Sequence, residues 1–375
     1  MIKPFGLAAP ARILFGRGEF AKAPGLAAEL GTRAFVVHGA RLRHAGAFLD
    51  TCELNTTPFA CPKEPDLDLL STALDVARAA GADMVVAIGG GAAIDLGKAV
   101  AGLLQAQTSP LDHLEVVGKG LALSEPPAPF MAIPTTAGTG AEVTKNAVIG
   151  MPEHRRKVSL RDPAMLANIA LIDPALTDGT PKAVTLASGL DAITQVIEPY
   201  VSSRANPITD AICRNAIARG MRALRMLIET GCDANSRDDL ALASLSGGLA
   251  LANAGLGAVH GLAGVIGGRV PNAAHGAVCG ALLPATLEAN LAALPKESAQ
   301  ARRIAEIRVA LSEAIGTSDL AGWARHHGLP GLAQMGVVSS DHMAIATQAQ
   351  PSGSMAANPV ELPVDVLCGI LDAAA

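Results

Sequence analysis

Two histidines, an aspartate and a glutamine have the types and the spacing to bind a metal ion. Asp191 and Gln195 are four residues apart and would share one face of a helix. His260 lies in a stretch without a charged residue, from Leu240 to Gly268, and His275 follows that stretch. An O, O, N, N ligand set suits Fe²⁺, Zn²⁺ or Mn²⁺ and leaves room for a substrate oxygen. The alternative is a pair of core histidines that bond backbone carbonyls.

The uncharged stretch is long enough to raise the question of a membrane span. It is filled with Gly, Ala, Ser and Asn rather than bulky aliphatic residues, which favours helices buried in a large helical domain. The net charge of -5, without a basic tract, argues against nucleic acid as a partner. The six cysteines show no CxxC spacing, and the N-terminus does not have the pattern of a signal peptide. We therefore expect a soluble protein of the cytoplasm, with no membrane partner.

Short apolar strands alternate with helical stretches in the first half of the chain. Strands are predicted over 12–16, 33–38, 83–88, 129–134 and 169–173, and helices over 19–30 and 66–80. This alternation indicates a parallel sheet with crossover helices. Helical periodicity then continues almost without interruption over 191–201, 208–230, 238–255 and 299–315. The sequence therefore predicts an α/β domain over residues 1–178 and an all-α domain over 179–375, with ligands bound in the cleft between them.

Two polar loops follow strands of the predicted sheet. In the first, Gly89, Gly90 and Gly91 open a helix whose N-terminus suits a pyrophosphate. The second loop, PTTAGTG, carries the hydroxyls of Thr135, Thr136 and Thr139. Each loop alone could be a structural turn. Two of them at the carboxyl ends of neighbouring parallel strands favour a nucleotide site.

Four segments carry a resemblance to a known family. They are GGGAAIDLGKA, AIPTTAGTGAEVTKNAVI, GLDAITQVIEPYVS and the region from His260 to Gly276. Together they resemble the iron-containing (group III) alcohol dehydrogenases, a family that includes maleylacetate reductases. The resemblance implies a dinucleotide-binding α/β domain, an all-helical domain with the metal, and a homodimer.

The resemblance also implies roles for single residues. The family's metal-binding Asp falls on Asp191 and its two later His ligands fall on His260 and His275. Its first His falls on Gln195, and a further His common in the family is Gly264 here. Gln195 can bind a metal through its amide oxygen, but more weakly than imidazole would. The implied cofactor-binding residues are Gly90, Gly91, Ala92, Asp95, Thr135, Thr136, Thr139, Asn146 and Lys157.

The residue after the second strand bears on the choice of nucleotide. An acidic side chain there would bond the ribose 2′-hydroxyl and repel a 2′-phosphate. The position is Gly39, with Arg41 close behind, so the chain admits NADP(H) as well as NAD(H).

The sequence thus predicts reversible hydride transfer between NAD(P)H and a small alcohol, aldehyde or ketone, with Fe²⁺ or Zn²⁺ polarising the carbonyl. His260, His275 and Asp191 are the expected catalytic groups.

Three alternatives stay open. A metal-independent reductase that resembles maleylacetate reductase would need cations for a dicarboxylate, for which Lys145, Arg155 and Arg161 are available. A lyase that resembles dehydroquinate synthase, or a non-catalytic nucleotide-binding protein, would show no net NAD(P)H oxidation.

Overall fold

The chain folds into two compact units of different architecture. The computed structural model describes residues 4–231 and 233–375. One unit comprises Ala8–Thr136 and Gly140–Asp178. The other comprises Gly179–Ala375 together with Ala137–Thr139 and residues 4–7. Every cysteine in the described part of the chain is a free thiol, and Cys232 lies outside it.

The first unit is built on a parallel sheet. Its strands are β1 (Arg12–Phe15), β2 (Arg33–Gly39), β3 (Asn55–Cys61), β4 (Met84–Gly89), β5 (Phe130–Pro134), β6 (Asn146–Met151), β7 (Arg156–Arg161) and β8 (Ile169–Ile172). Six of them form one sheet in the order β1-β8-β5-β4-β2-β3, and all its pairs are parallel. The other two, β6 and β7, form an antiparallel pair. The helices are α1 (Ala23–Ala28), α2 (Arg43–Thr51), α3 (Leu67–Ala79), α4 (Gly91–Leu103) and α5 (Pro110–His113).

Alternate residues of the central strands enter different cores. On β2, Phe35 and Val37 pack in a cluster with residues of α3 and α4, whereas Ala34 and Val36 pack in a second cluster with residues of α1 and α2. Successive side chains of a strand point to opposite faces, so helices cover both faces of this sheet. The predicted parallel sheet with crossover helices is therefore confirmed.

The strand order changes direction between β2 and β4. From β2 the chain proceeds outward to β3, whereas from β4 it proceeds through β5 to β8 on the other side. The carboxyl ends of β2 and β4 flank this switch point, where open parallel sheets bind nucleotides. Gly39 and Gly89 are the last residues of these two strands.

The five predicted strands are confirmed, with ends shifted by a residue at most. Three strands were not predicted. β3 contains Pro58 and two threonines, and it pairs only with β2, at the sheet edge, where a missing backbone N–H is tolerated. β6 and β7 form a hairpin in which buried and less buried residues alternate. The predicted helix over 19–30 is wrong in extent, since it is a 3₁₀ turn followed by the six-residue helix α1, and Pro24 stands at its start.

The second unit is all-helical. Its helices are α6 (Lys182–Val201), α7 (Pro207–Thr230), α8 (Ala234–Ala254), α9 (Ala258–Arg269), α10 (His275–Ala293), α11 (Ala299–Ile315), α12 (Leu320–His326), α13 (His342–Ala349) and α14 (Val364–Ala373). α6 packs against α7, α8 and α10 and is buried along most of its length. The predicted helical stretch 191–201 starts too late. The helix begins at Lys182 after Pro181, so Asp191 lies in its middle.

The uncharged stretch forms α8 and α9, which meet at a 99° bend. By length and composition alone, α10 could cross a membrane, and the bent pair meets the same criterion. Half of the apolar window of α10 is buried within the protein. The absence of a membrane partner stays a prediction.

Candidate active site

Four potential metal ligands converge within the helical unit. Asp191 comes from the buried middle of α6, and His260 lies in the first turn of α9. His275 is the first residue of α10, and Cys279 lies one turn later on the same helix. One ligand atom from each residue lies within 4.8 Å of the others. The structure therefore brings together Asp191, His260 and His275, as the sequence predicts, and adds a thiol to them.

Close approach of two helices makes this convergence possible. A Cβ atom at Gly276 would lie 2.3 Å from the carbonyl oxygen of Ala187 and 3.0 Å from Cβ of Asp191. No real side chain accepts such contacts, so residue 276 must be glycine for α10 to reach α6. The glycine that follows His275 thus has a packing role, because it lets the imidazole approach the carboxylate.

Among the facing donor atoms, Cys279 Sγ and His275 Nε2 make a long hydrogen bond at 3.7 Å. Asp191 Oδ1 lies 3.4 Å from His260 Nε2 and 4.0 Å from His275 Nε2. The first separation lacks the geometry of a hydrogen bond, and neither Asp191 Oδ1 nor His260 Nε2 has a hydrogen-bond partner among residues 4–231 and 233–375. Both side chains are almost fully buried. Buried polar atoms without partners are costly, which indicates that a further group satisfies them.

A divalent cation fits this cluster. Bonds of 2.0–2.3 Å in a tetrahedral site place neighbouring donor atoms about 3.3 to 3.8 Å apart. The measured separations are 3.4 Å, 4.0 Å and, between Cys279 Sγ and His275 Nε2, 3.7 Å. His275 retains 28% of its side-chain exposure, so an ion can reach the cluster from that side.

Glu198 holds His260 in one orientation. Its Oε2 atom accepts a hydrogen bond from Nδ1 of His260 at 2.6 Å, and its Oε1 atom accepts one from the backbone N–H of Val259 at 2.7 Å. With the proton on Nδ1, the lone pair of Nε2 points away from Glu198 and towards Asp191. Carboxylates in this position orient metal-bound histidines in many proteins.

The charges of the cluster shift its pKa values in a consistent direction. Burial alone would raise the pKa of Asp191, but its neighbours His260 and His275 lower it below the ordinary value. Burial alone would likewise raise the pKa of Cys279, which the two imidazoles lower. The carboxylate therefore stays ionised and the thiol deprotonates more easily than a free cysteine. Although burial opposes the change, Cys279 and Asp191 raise the pKa values of His260 and His275. A bound cation would take the place of those imidazole protons.

Gln195 has a partner of its own. Its Nε2 atom donates a hydrogen bond to the backbone carbonyl of Thr139, which belongs to the same compact unit. The predicted role of Gln195 as a metal ligand stays a prediction, as does the role of Thr139 in cofactor binding.

Cys279 and Glu198 were not predicted as site residues. Cys279 is four residues after His275, and Glu198 is seven residues after Asp191. Both spacings place the pairs on one face of a helix, so the signal was present in the sequence.

The predicted nucleotide residues gather at the switch point of the parallel sheet. Gly90 caps the N-terminus of α4 and Gly91 is its first residue. A Cβ atom at Gly89 would lie 3.4 Å from the backbone nitrogen of Gly39, so the ends of β4 and β2 are adjacent. A Cβ atom at Gly39 would meet nothing within 4 Å, which leaves this position open. Ala92 lies in the first turn of α4.

The threonine loop lies beside the glycine loop. β5 pairs with β4, and the backbone N–H of Thr135 donates to the carbonyl of Gly89 at 2.9 Å. The side chain of Thr136 lies against Gly90, within 3.6 Å of where a Cβ atom would be. The predicted adjacency of these two loops is therefore confirmed.

A buried lysine fixes the threonine loop to α4. Lys98 is fully buried rather than solvated, and its Nζ atom donates to the carbonyls of Ala141 and Asn146 and to the hydroxyl of Thr144. Burial lowers the pKa of Lys98 to about 8. Burial also raises the pKa of Glu142, in the same loop, to about 7. Lys98 thus has a structural role.

Three of the predicted cofactor residues contact the protein itself. Asp95 accepts a hydrogen bond from the backbone N–H of Val148 at 3.2 Å, and the carbonyl of Asn146 accepts from Lys98. Lys157, on β7, is largely buried and pairs with Glu64. These contacts stabilise the hairpin and the loop beside the glycines.

Comparison with known proteins places both units in one family. The model of the iron-containing alcohol dehydrogenases matches residues 10–174, and that of the C-terminal part of the Fe-containing alcohol dehydrogenase family matches residues 185–375. Long-chain-alcohol dehydrogenase 1 of Geobacillus thermodenitrificans (strain NG80-2) is 40% identical over 221 residues, which cover 59% of this chain and 55% of that protein. The 1,3-propanediol dehydrogenase of Citrobacter freundii is 35% identical over 295 residues, 76% of this chain and 74% of that protein.

Among solved structures, a 1,3-propanediol oxidoreductase superposes over the full length of both chains. Its TM-score is 0.88 and its sequence identity is 28%.

Proposed function

Because this chain belongs to the iron-containing alcohol dehydrogenase family and is an oxidoreductase of alcohols and their carbonyl partners, we propose that it works with a nicotinamide nucleotide and a divalent metal ion. The metal is held in the helical unit by Asp191, His260 and His275. The nucleotide is held in the parallel-sheet unit by the loops that follow β4 and β5.

One observation carries the metal assignment. Asp191 Oδ1 and His260 Nε2 are buried, face each other across 3.4 Å, and lack hydrogen-bond partners in the described part of the chain. Most buried polar atoms of core side chains have a hydrogen-bond partner, whereas these two unpartnered atoms face each other. A cation satisfies the carboxylate and the imidazole at once, whereas a solely structural cluster leaves both unsatisfied.

The chain's own residues prepare the site for this chemistry. Bound metal supplies Lewis-acid polarisation of a carbonyl oxygen, and nicotinamide carries the hydride. Asp191 balances the charge of the cation, and Glu198 retains the Nδ1 proton of His260 so that Nε2 can bind metal. Gly264 offers no proton-transferring side chain.

The end of β2 supports use of both nucleotides. Gly39 is open on all sides to an added side chain, and Arg41 is exposed nearby. Without a carboxylate at residue 39, a 2′-phosphate meets no repulsion there. We therefore propose that the enzyme accepts NADPH as well as NADH. A homodimer in the cytoplasm remains the expected assembly and location.

The test is a comparison of two carboxylate variants. Asp191→Asn should lower NAD(P)H-linked turnover of small aldehydes at least about 100-fold, since removing one partner of a buried charged group costs about 3 kcal/mol or more. NADPH binding, followed by nucleotide fluorescence, should be unchanged. Asp239→Asn is the matched control, because that carboxylate pairs with Arg219 in an exposed ion pair of the same unit. Full activity of Asp191→Asn would contradict the proposal.

A further inference from the structure

Cys279 is buried among the metal-binding groups, without a role in the family's usual ligand set. The residue has no solvent exposure, and its Sγ atom lies 3.7 Å from Nε2 of His275. It belongs to the group of four residues whose ligand atoms lie within 4.8 Å of one another. The unpartnered atoms of Asp191 and His260 belong to the same group.

We propose that Cys279 binds the metal ion as a thiolate and completes an Asp-His-His-Cys site. This inference rests on the metal centre of the proposed function, and it names a ligand that the resemblance does not imply. It also explains how the chain manages without the histidine that the family places at residue 195. The donor lost from α6 is replaced by one on α10.

The geometry of α10 favours two ligands from this helix. His275 and Cys279 are four residues apart and therefore share the face that packs on α6. A Cβ atom at Gly276 or Gly280 would collide with Ala187 or Leu190 of α6, at 2.3 Å and 2.6 Å. The glycines that directly follow His275 and Cys279 thus let the helix lie close enough to α6 for both side chains to reach Asp191.

Gln195 is engaged elsewhere through its amide nitrogen. That nitrogen donates to the carbonyl of Thr139, which fixes the amide plane. A neutral amide oxygen is also a poorer donor to a transition metal than a thiolate is. With Cys279 within reach, the softer and charged ligand should bind in its place.

Metal binding through Cys279 involves proton release and no redox change. The S–H bond breaks, the proton leaves to solvent, and a bond forms between the thiolate and the cation. A thiolate ligand favours zinc and cobalt(II) over magnesium or calcium, which prefer oxygen ligands. The chain should therefore bind zinc tightly even though it lacks the third imidazole of its relatives.

Cobalt(II) provides the direct test, because thiolate ligands give it an intense charge-transfer band in the near ultraviolet. The full-length protein is freed of metal with a chelator and titrated with cobalt(II) alone. The wild type should bind the ion and develop the band. Cys279→Ser and Cys279→Ala should bind cobalt(II) without the band, and their zinc affinity should fall about tenfold or more. Circular dichroism confirms that each variant is folded.

Cys213→Ser is the matched control. Cys213 is also fully buried in a helix of the same unit, but it is not one of the clustered ligands. This variant should keep both the band and the zinc affinity of the wild type. A double variant completes the series. Gln195→His in the Cys279→Ser background should recover zinc affinity without recovering the cobalt(II) charge-transfer band.

The outcomes separate the two proposals. Bound cobalt(II) without the band in the wild type, or an undiminished band in Cys279→Ser, overturns the thiolate ligand while the metal centre stands. A wild type that binds neither cobalt(II) nor zinc overturns both. The cobalt(II) spectrum of the wild type alone shows whether a thiolate binds the metal, even if a variant fails to fold.

Discussion

Replacing Glu198 with glutamine tests whether a hydrogen bond outside the ligand set controls metal affinity. The carboxylate accepts one hydrogen bond from His260 Nδ1 and one from the Val259 N–H. Glutamine has a single acceptor oxygen. If that oxygen faces Nδ1, its NH₂ group opposes the Val259 N–H. If the amide flips, its NH₂ group donates to Nδ1, and the imidazole proton moves to Nε2, where it blocks the lone pair that binds metal.

The expected loss follows from the strength of such bonds. A hydrogen bond to a charged group contributes about 1.5–3 kcal/mol. Substitution of groups that orient metal ligands lowers metal affinity about 10- to 100-fold, or about 1.4–2.7 kcal/mol. Glu198→Gln should therefore weaken zinc binding by that factor. The assay is competition between the protein and a chelating indicator dye, with thermal unfolding as a check on the fold.

Glu306→Gln is the matched control. Its carboxylate accepts a hydrogen bond from the Tyr200 hydroxyl at 2.8 Å, so it also bonds a side chain of α6 but does not contact the four ligands. Zinc affinity should be unchanged in this control. A folded Glu198→Gln protein with wild-type zinc affinity would refute the orienting role of Glu198.

Three further predictions concern the parallel-sheet unit. Gly39→Asp should lower the preference for NADPH over NADH at least about tenfold, because the new carboxylate and the 2′-phosphate, about 4 Å apart, would repel by about 1–4 kcal/mol. An unchanged ratio of the two kcat/KM values would show that residue 39 does not contact the ribose. Gly91→Val should weaken nucleotide binding at least about tenfold in an equilibrium titration, because the valine side chain crowds the N-terminus of α4. The control Gly25→Val, at an open position of α1, should bind the nucleotide normally. Equal affinities of the two variants would show that the glycine loop is not part of the site. Glu142, whose folded pKa is raised to about 7, gives stability that is fully present below its unfolded pKa and lost as the pH rises through about 7. Glu142→Gln should remove that loss, so that its free energy of unfolding in urea exceeds that of the wild type by about 1–3 kcal/mol at about pH 8 but not at about pH 5; identical pH profiles would contradict the assignment.

Strong apolar periodicity made most of the fold predictable. The buried strands β2, β4, β5 and β8 read as continuous apolar runs, because both of their faces are covered. The edge strand β3 and the hairpin of β6 and β7 lack such runs. Their pairing depends on contacts that are distant in sequence, such as the register of Arg33 with Asn55. Local patterns do not carry that information.

The ligand types were predictable, but their grouping was not. Asp191, His260 and His275 stood out because polar groups are rare in so apolar a region. Cys279 resembled the other buried cysteines, and only the approach of α10 to α6 through Gly276 brings its thiol into the cluster. Lys98 read as a surface residue of a helix, and its burial depends on carbonyls about 45 residues later in the chain.

Elemental analysis of the purified wild-type protein tests the central claim most directly. The measurement is the content of iron, zinc and other divalent metals per chain, before and after exhaustive chelation, with NAD(P)H-linked turnover recorded on the same samples. We expect about one divalent ion per chain, loss of turnover when the ion is removed, and recovery of turnover when zinc or iron(II) is restored. A metal-free protein that keeps full turnover after chelation would contradict it, and would favour a metal-independent reductase in which Asp191, His260 and His275 form a polar substrate-binding cluster.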